Sequence, residues 1–133
     1  MLWEKEYPGF ITKIDVSGNV ESEQLKAFYG HGNDSWEADK KSYNLKFENN
    51  TDFLGLGAEE DYALLAAYRD DSLMCYITTT TMIQNLDFPY ANDFKLVNVY
   101  VAGEYLGVYF LAEKIKLSES RVNISSVYEE MKA

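Results

Sequence analysis

The chain has 133 residues, with 12 Lys and Arg against 22 Asp and Glu, a net charge of −10. That length allows one domain at most, and 47% hydrophobic with 15% aromatic residues argues for a globular core over disorder. The acidic balance works against nonspecific binding to nucleic acid or anionic membrane; Cys75 and His31, each the sole residue of its kind, exclude an internal disulfide, a Cys-based zinc site and a multi-histidine metal site. No apolar run is long enough for a membrane-spanning helix, and Met1-Leu2-Trp3-Glu4-Lys5-Glu6 does not read as a basic-then-apolar leader.

In chain order, Phe10 to Val16 alternates loosely through Ile11, Ile14 and Val16 and ends at a turn signal, Ser17-Gly18-Asn19. Leu25, Ala27 and Tyr29 alternate with Lys26 and Phe28, which reads as a strand. Then comes Gly30-His31-Gly32-Asn33-Asp34-Ser35-Trp36, a small-polar turn carrying a Trp. Two readings stay open for it: a tight turn with a buried Trp, or a loop whose backbone approaches a ligand. His31 reads as a turn residue rather than a catalytic base. Tyr43, Leu45 and Phe47 alternate with Ser42, Asn44 and Lys46 in a half-buried strand. The lysines at 40, 41 and 46 suit either a solvated face or phosphate contact, and Lys41 falls on the inward parity of that strand.

Asn49-Asn50-Thr51-Asp52 reads as a loop, and Gly55-Leu56-Gly57 is too short for a phosphate loop. Ala63 to Tyr68 is an apolar run that fits a buried strand or a helix. Asp70-Asp71-Ser72 is a helix start, because short oxygen-bearing side chains accept from the free amides of a first turn. The helix would run from Leu73 to Leu86, with Leu73, Ile77, Met82, Ile83 and Leu86 inward and Cys75 a small buried residue. The run Thr78-Thr79-Thr80-Thr81 opposes it through lost χ1 freedom. A hairpin follows: Val97, Val99 and Val101, then Leu106, Val108 and Phe110, around Ala102-Gly103-Glu104. Ala102 resists positive φ, so a three-residue turn with Gly103 left-handed is expected. The sum is an α+β domain with a largely antiparallel sheet and one or two helices.

Several blocks, in order, resemble the CotH kinase family, atypical protein kinases named for a spore-coat protein. Gly30, Gly32, Asn33, Ser35, Trp36, Lys40, Lys41 and Tyr43 match its Gly-Arg-Gly-Asn-Ser-(Ser/Thr)-Trp and Lys-Lys-(Pro/Ser)-Tyr pattern. Phe53-Leu54-Gly55-Leu56-Gly57, Tyr62 to Tyr68, Asp71-Ser72-Leu73, Val97 to Lys114 and Arg121-Val122-Asn123-Ile124 echo later blocks. The likeness covers about residues 25–124 of a single partial domain, 1–133. His31 and Cys75 stand where the family has Arg, and Asn123 where it has Asp.

The resemblance implies part of an atypical protein-kinase-like fold and, in a full-length parent, ATP- and Mg²⁺-dependent phosphoryl transfer to protein Ser or Thr. Gly32, Asn33, Lys41, Glu113 and Lys114 are the implied nucleotide contacts, with Lys41 as a point charge on phosphate and Glu113 orienting it or helping a metal. No catalytic residue is assigned. The family's catalytic and metal-binding aspartates lie beyond the last matched block, so the chain is expected to be incomplete and inactive alone. Its partner is then a protein substrate or the remainder of the domain, with no nucleic acid and no membrane. A bacterial spore coat or a secreted, cell-surface setting is implied. The alternative is a nonenzymatic, pseudokinase-like interaction or structural domain.

Overall fold

The computed structural model describes residues 5–88, 90–118 and 121–122. The Asn123-Ile124 end of the last block lies outside them. Among the described residues six strands form one sheet: β1 Tyr7–Ile14, β2 Val20–Gly30, β3 Tyr43–Asp52, β4 Ala58–Leu65, β5 Phe94–Val101 and β6 Glu104–Glu113. Their spatial order is β1-β2-β3-β4-β6-β5, and every neighbouring pair is antiparallel. The helix α1, Met74–Asn85, lies on the connection from β4 to β5, which steps across β6. A sheet carrying one α-helix fits the expected α+β class, and the last two strands pair as expected, Val97 with Tyr109 and Val99 with Gly107.

Register shifts interrupt the pairing near Gly9, Ala27, Thr51 and Tyr100. Each extra residue bends its strand and deepens the right-handed twist. The sheet therefore curls into a half-barrel. Its concave face carries the core, where Leu25, Leu45, Phe47, Tyr62, Leu64, Tyr109 and Leu111 are buried together with Phe53 and Leu56 from the β3–β4 connection. The period of two puts Tyr43, Leu45 and Phe47 on that face, as their alternation predicts. The Tyr62 hydroxyl shares its proton between the Thr51 and Gly57 carbonyls and accepts the Phe53 amide, so a fully buried phenol is satisfied.

Asn49-Asn50-Thr51-Asp52 is strand, not loop: β3 runs on to Asp52, and Thr51 faces Glu59 beyond the register shift. Loop-prone side chains sit there because the pairing with β2 ends at Phe47 and the exposed positions beyond it tolerate polarity. The Ala63 to Tyr68 run resolves as the end of β4 followed by a turn.

The hairpin turn has two residues rather than three. Val101 pairs with Glu104, and Ala102 and Gly103 both take positive φ, 51° and 84°. Such a primed turn matches the twist of its strands, and that tertiary demand overrides the reluctance of Ala102.

The helix starts where the sequence places it. The Asp70 carboxylate accepts the Cys75 amide at 2.8 Å and the Ser72 hydroxyl accepts the Met74 amide at 3.1 Å. These bonds, the Ser72 hydroxyl first among them, hold the Asp70 carboxyl below its usual range. Its inward face is not the expected one. No helix residue is buried, and Met82, Ile83 and Leu86 are exposed. Tyr76 anchors it instead, its ring 4.6 Å from Phe110 and 5.4 Å from Phe94 on the convex face of the sheet. Tyr76 sits in the first turn, so the later turns have no buried side chain to hold them against the sheet. Cys75, one residue earlier, is exposed rather than buried.

Ala102→Gly tests the turn. A left-handed L-residue costs about 1–2 kcal/mol, and the extra freedom of Gly in the unfolded chain returns about 0.5–1. The variant should gain up to about 1 kcal/mol in urea unfolding. A lowered midpoint with unchanged slope would contradict a turn with both residues left-handed.

Candidate functional site

A groove of about 1120 Å³ opens between the 35–42 loop, the turn after β4 and the first half of α1. Lys40, Ser42, Tyr68, Arg69, Tyr76 and Thr80 are among its lining. Lys40 reaches across the chain: its ammonium donates to the Ala66 carbonyl at 3.0 Å and to the Val108 carbonyl, and lies 4.5 Å from the centre of the Tyr109 ring. Burial pushes the Lys40 ammonium below its usual range. The Ser42 hydroxyl accepts the Ala66 amide at 2.9 Å, which fixes the rim of the groove to the end of β4.

Lys41, expected inward, turns the other way. It donates to the Ala38 carbonyl at 3.0 Å and sits 5.5 Å from the Trp36 ring. The parity that favoured it holds only inside a strand, and β3 begins at Tyr43. The two lysines lie in the irregular approach to it, so Lys40 enters the groove.

The Gly30 to Trp36 segment is built as a tight turn. Gly32 has φ +80°, and a Cβ on it would collide with Ser35 Oγ, which itself donates to the His31 carbonyl at 3.1 Å. Asn33 is exposed and precedes the one-turn 3-10 helix Asp34–Glu37 without a side-chain cap. The half-buried Trp36 packs edge-on against Tyr43 at 5.9 Å. Behind the turn, the buried Asn44 donates to the Gly30 carbonyl at 3.0 Å, which leaves its Oδ1 to accept from His31 Nδ1 at 2.9 Å. That assignment leaves His31 Nε2 as the open acceptor.

Glu113 closes β6, Lys114 follows it, and the two side chains go to separate partners. Lys114 lies across the convex face and donates to the Tyr29 hydroxyl at 3.3 Å. Glu113 holds Arg121 Nη1 at 2.6 Å and accepts the Asp93 amide at 2.8 Å. The same Arg121 Nη1 donates to the Leu56 carbonyl at 2.7 Å, and its guanidinium stands 5.3 Å from the Tyr62 ring. The predicted residues thus fall in separate places: Gly32 and Asn33 in the turn, Lys41 under Trp36, Lys114 on the convex face and Glu113 in a nearly buried ion pair.

Sequence reasoning missed Lys40 as the inward cation, Arg69 and Tyr68 as groove walls, and Asn44 as the partner of His31. Only Asn44 carried a signal, an amide at a strand position flanked by apolar neighbours. Among the described residues no three His, Cys, Asp or Glu side chains gather to hold a metal.

Two measurements follow from these contacts. Burial, with the Tyr43 phenol beside it, pushes the Tyr109 phenol up to about 12, and its hydroxyl donates to the Lys41 carbonyl at 2.8 Å. A raised folded-state value means this contribution is whole below the ordinary phenol range near 10 and lost as pH climbs through about 12. Tyr43 and Tyr76 shift the same way, while Lys40, shifted down, acts in the opposite sense. Urea stability should therefore fall between those two pH values, and fall less in Tyr109→Phe. An identical alkaline slope in both proteins would contradict the assignment.

Arg121→Ala removes one partner of a nearly buried pair, 2% exposed on the Arg side and 14% on the Glu side. The expected loss is about 3 kcal/mol, because Glu113 and the Leu56 carbonyl lose their donor. A change below about 1 kcal/mol in chemical unfolding would mean the pair is not holding the β3–β4 connection.

Residues 29–130 match the sequence profile of the family described as CotH kinase protein. No curated protein matches the chain. The match covers most of the sequence and takes in the 30–43 block, the groove and the β5–β6 hairpin. On that basis the chain belongs to the CotH kinase family.

Proposed function

We propose that this domain is part of a protein kinase that moves the γ-phosphoryl group of ATP to Ser or Thr hydroxyls of proteins, and that it contributes the positioning of the nucleotide. The observation that carries the reading is Lys40, a cation drawn into a large groove by the block that the family shares. Phosphoryl transfer depends on positioning and on electrostatic stabilisation of charge spread over the transferred group. The ammonium supplies a fixed positive charge in a partly desolvated place, where it acts more strongly than in water.

The same chain alone is not expected to complete the reaction. The described residues gather no acidic cluster for a metal, and Cys75 stands where the family has Arg. A second reading, a nonenzymatic interaction domain, draws on the two carbonyl bonds of Lys40, which also suit a purely structural staple.

The 133-residue chain, given radiolabelled ATP with Mg²⁺ or Mn²⁺ and a Ser-rich acceptor, should transfer no label while still binding ATP. Lys40→Ala and Lys41→Ala run beside it. Transfer by the wild type that vanishes in Lys40→Ala would restore full enzymatic competence to this chain. Absence of both transfer and binding would leave the nonenzymatic domain as the account.

A further inference from the structure

The groove holds two features that the positioning of Lys40 does not use. Arg69 is exposed, with no hydrogen bond or ion pair among the described residues, and lines the same wall as Tyr68. Tyr68 is 46% exposed and its ring stacks on no other ring among those residues. Lys40 commits two of its three N–H groups to the Ala66 and Val108 carbonyls, which leaves one donor uncommitted. Tyr76, in contrast, is spent on Phe94 and Phe110.

We propose that Lys40, Arg69 and Tyr68 form a nucleoside polyphosphate site, with phosphate oxygens between the two cations and the base against the Tyr68 ring. This rests on the nucleotide reading above and goes beyond it by naming a second cation and the base platform. A ligand with several anionic oxygens is the class that reaches both cations. The planar guanidinium of Arg69 takes two phosphate oxygens at once, whereas Lys40 acts as a point charge. The volume is ample for such a ligand.

The groove also carries two carboxylates, Glu37 and Asp70. Asp70 is committed to the start of α1, where it accepts from the Ser72 hydroxyl and the Cys75 amide. Glu37 has no partner among the described residues and opposes a polyanion. Its removal should tighten binding, which gives the site a gain-of-affinity test as well as losses.

The test is equilibrium binding of ATP, tripolyphosphate and adenosine to the whole chain in EDTA, so that no metal bridges the contacts. ATP and tripolyphosphate should bind, adenosine far more weakly. Arg69→Ala should weaken both polyphosphates about tenfold, as expected for one charge-assisted contact. Glu37→Gln should tighten both by about two- to threefold. Tyr68→Ala should weaken ATP and leave tripolyphosphate unchanged. Arg69, Glu37 and Tyr68 are exposed, so these variants fold even where Lys40→Ala does not. ATP binding that Lys41→Ala abolishes and Arg69→Ala leaves intact would overturn this site while sparing the kinase reading. Tripolyphosphate binding that depends on Arg69, with ATP no tighter and Tyr68→Ala silent, would keep the anion pair but overturn the base platform and weigh against the kinase reading. No binding of either polyphosphate would overturn the proposal outright.

Discussion

The Tyr109 side chain joins the core to the groove. Its ring is buried on the concave face of the sheet, beside Tyr43 at 6.4 Å, and the Lys40 ammonium stands against it. Its hydroxyl donates to the Lys41 carbonyl, so one residue of β6 fixes the backbone of one lysine and the head of the other. The 38–42 segment has no ladder of its own to hold it. It is placed by side-chain bonds from strands that are already formed, which makes the groove a consequence of the core rather than an independent feature.

That dependence explains why the strands were legible in the sequence and the site was not. Period-two alternation at Tyr43, Leu45 and Phe47, and again through Val97 to Phe110, reports which face is apolar, and the sheet needs little else. The direction of Lys40 against Lys41 is decided by where the Ala66 and Val108 carbonyls lie, just past β4 and within β6, 26 and 68 residues further along. No local rule reaches that far. The hairpin turn was misread for a similar reason: the twist of the paired strands, not the preference of Ala102, chooses its geometry.

The helix shows the converse. Its start was legible because a cap is local, and Asp70 and Ser72 act within a few residues. Its inward face was not, because that needs a second layer. The sheet spends its apolar concave face on its own curl, and on the convex side offers α1 little beyond Phe94 and Phe110. Met82, Ile83 and Leu86 stay exposed as a result. Arg121 lies between these cases. Its motif was readable, but its role in bracing Glu113 to the Leu56 carbonyl depends on the β3–β4 connection folding over Tyr62.

The net charge of −10 and a groove for polyphosphate are compatible because they act at different ranges. At physiological ionic strength, charges separated by more than about 8 Å are largely screened, so the acidic surface mainly slows encounter with an anion. Affinity is set inside that distance, by donors that touch the ligand. There the groove has a cation seated over an aromatic ring and a guanidinium without a partner among the described residues, and one of its two carboxylates is bound to a helix terminus. Raising the salt should therefore relieve the slow approach of a polyanion while weakening the contacts it makes on arrival. The two effects separate in kinetics: the acidic surface appears in the association rate, and Lys40 and Arg69 in the dissociation rate.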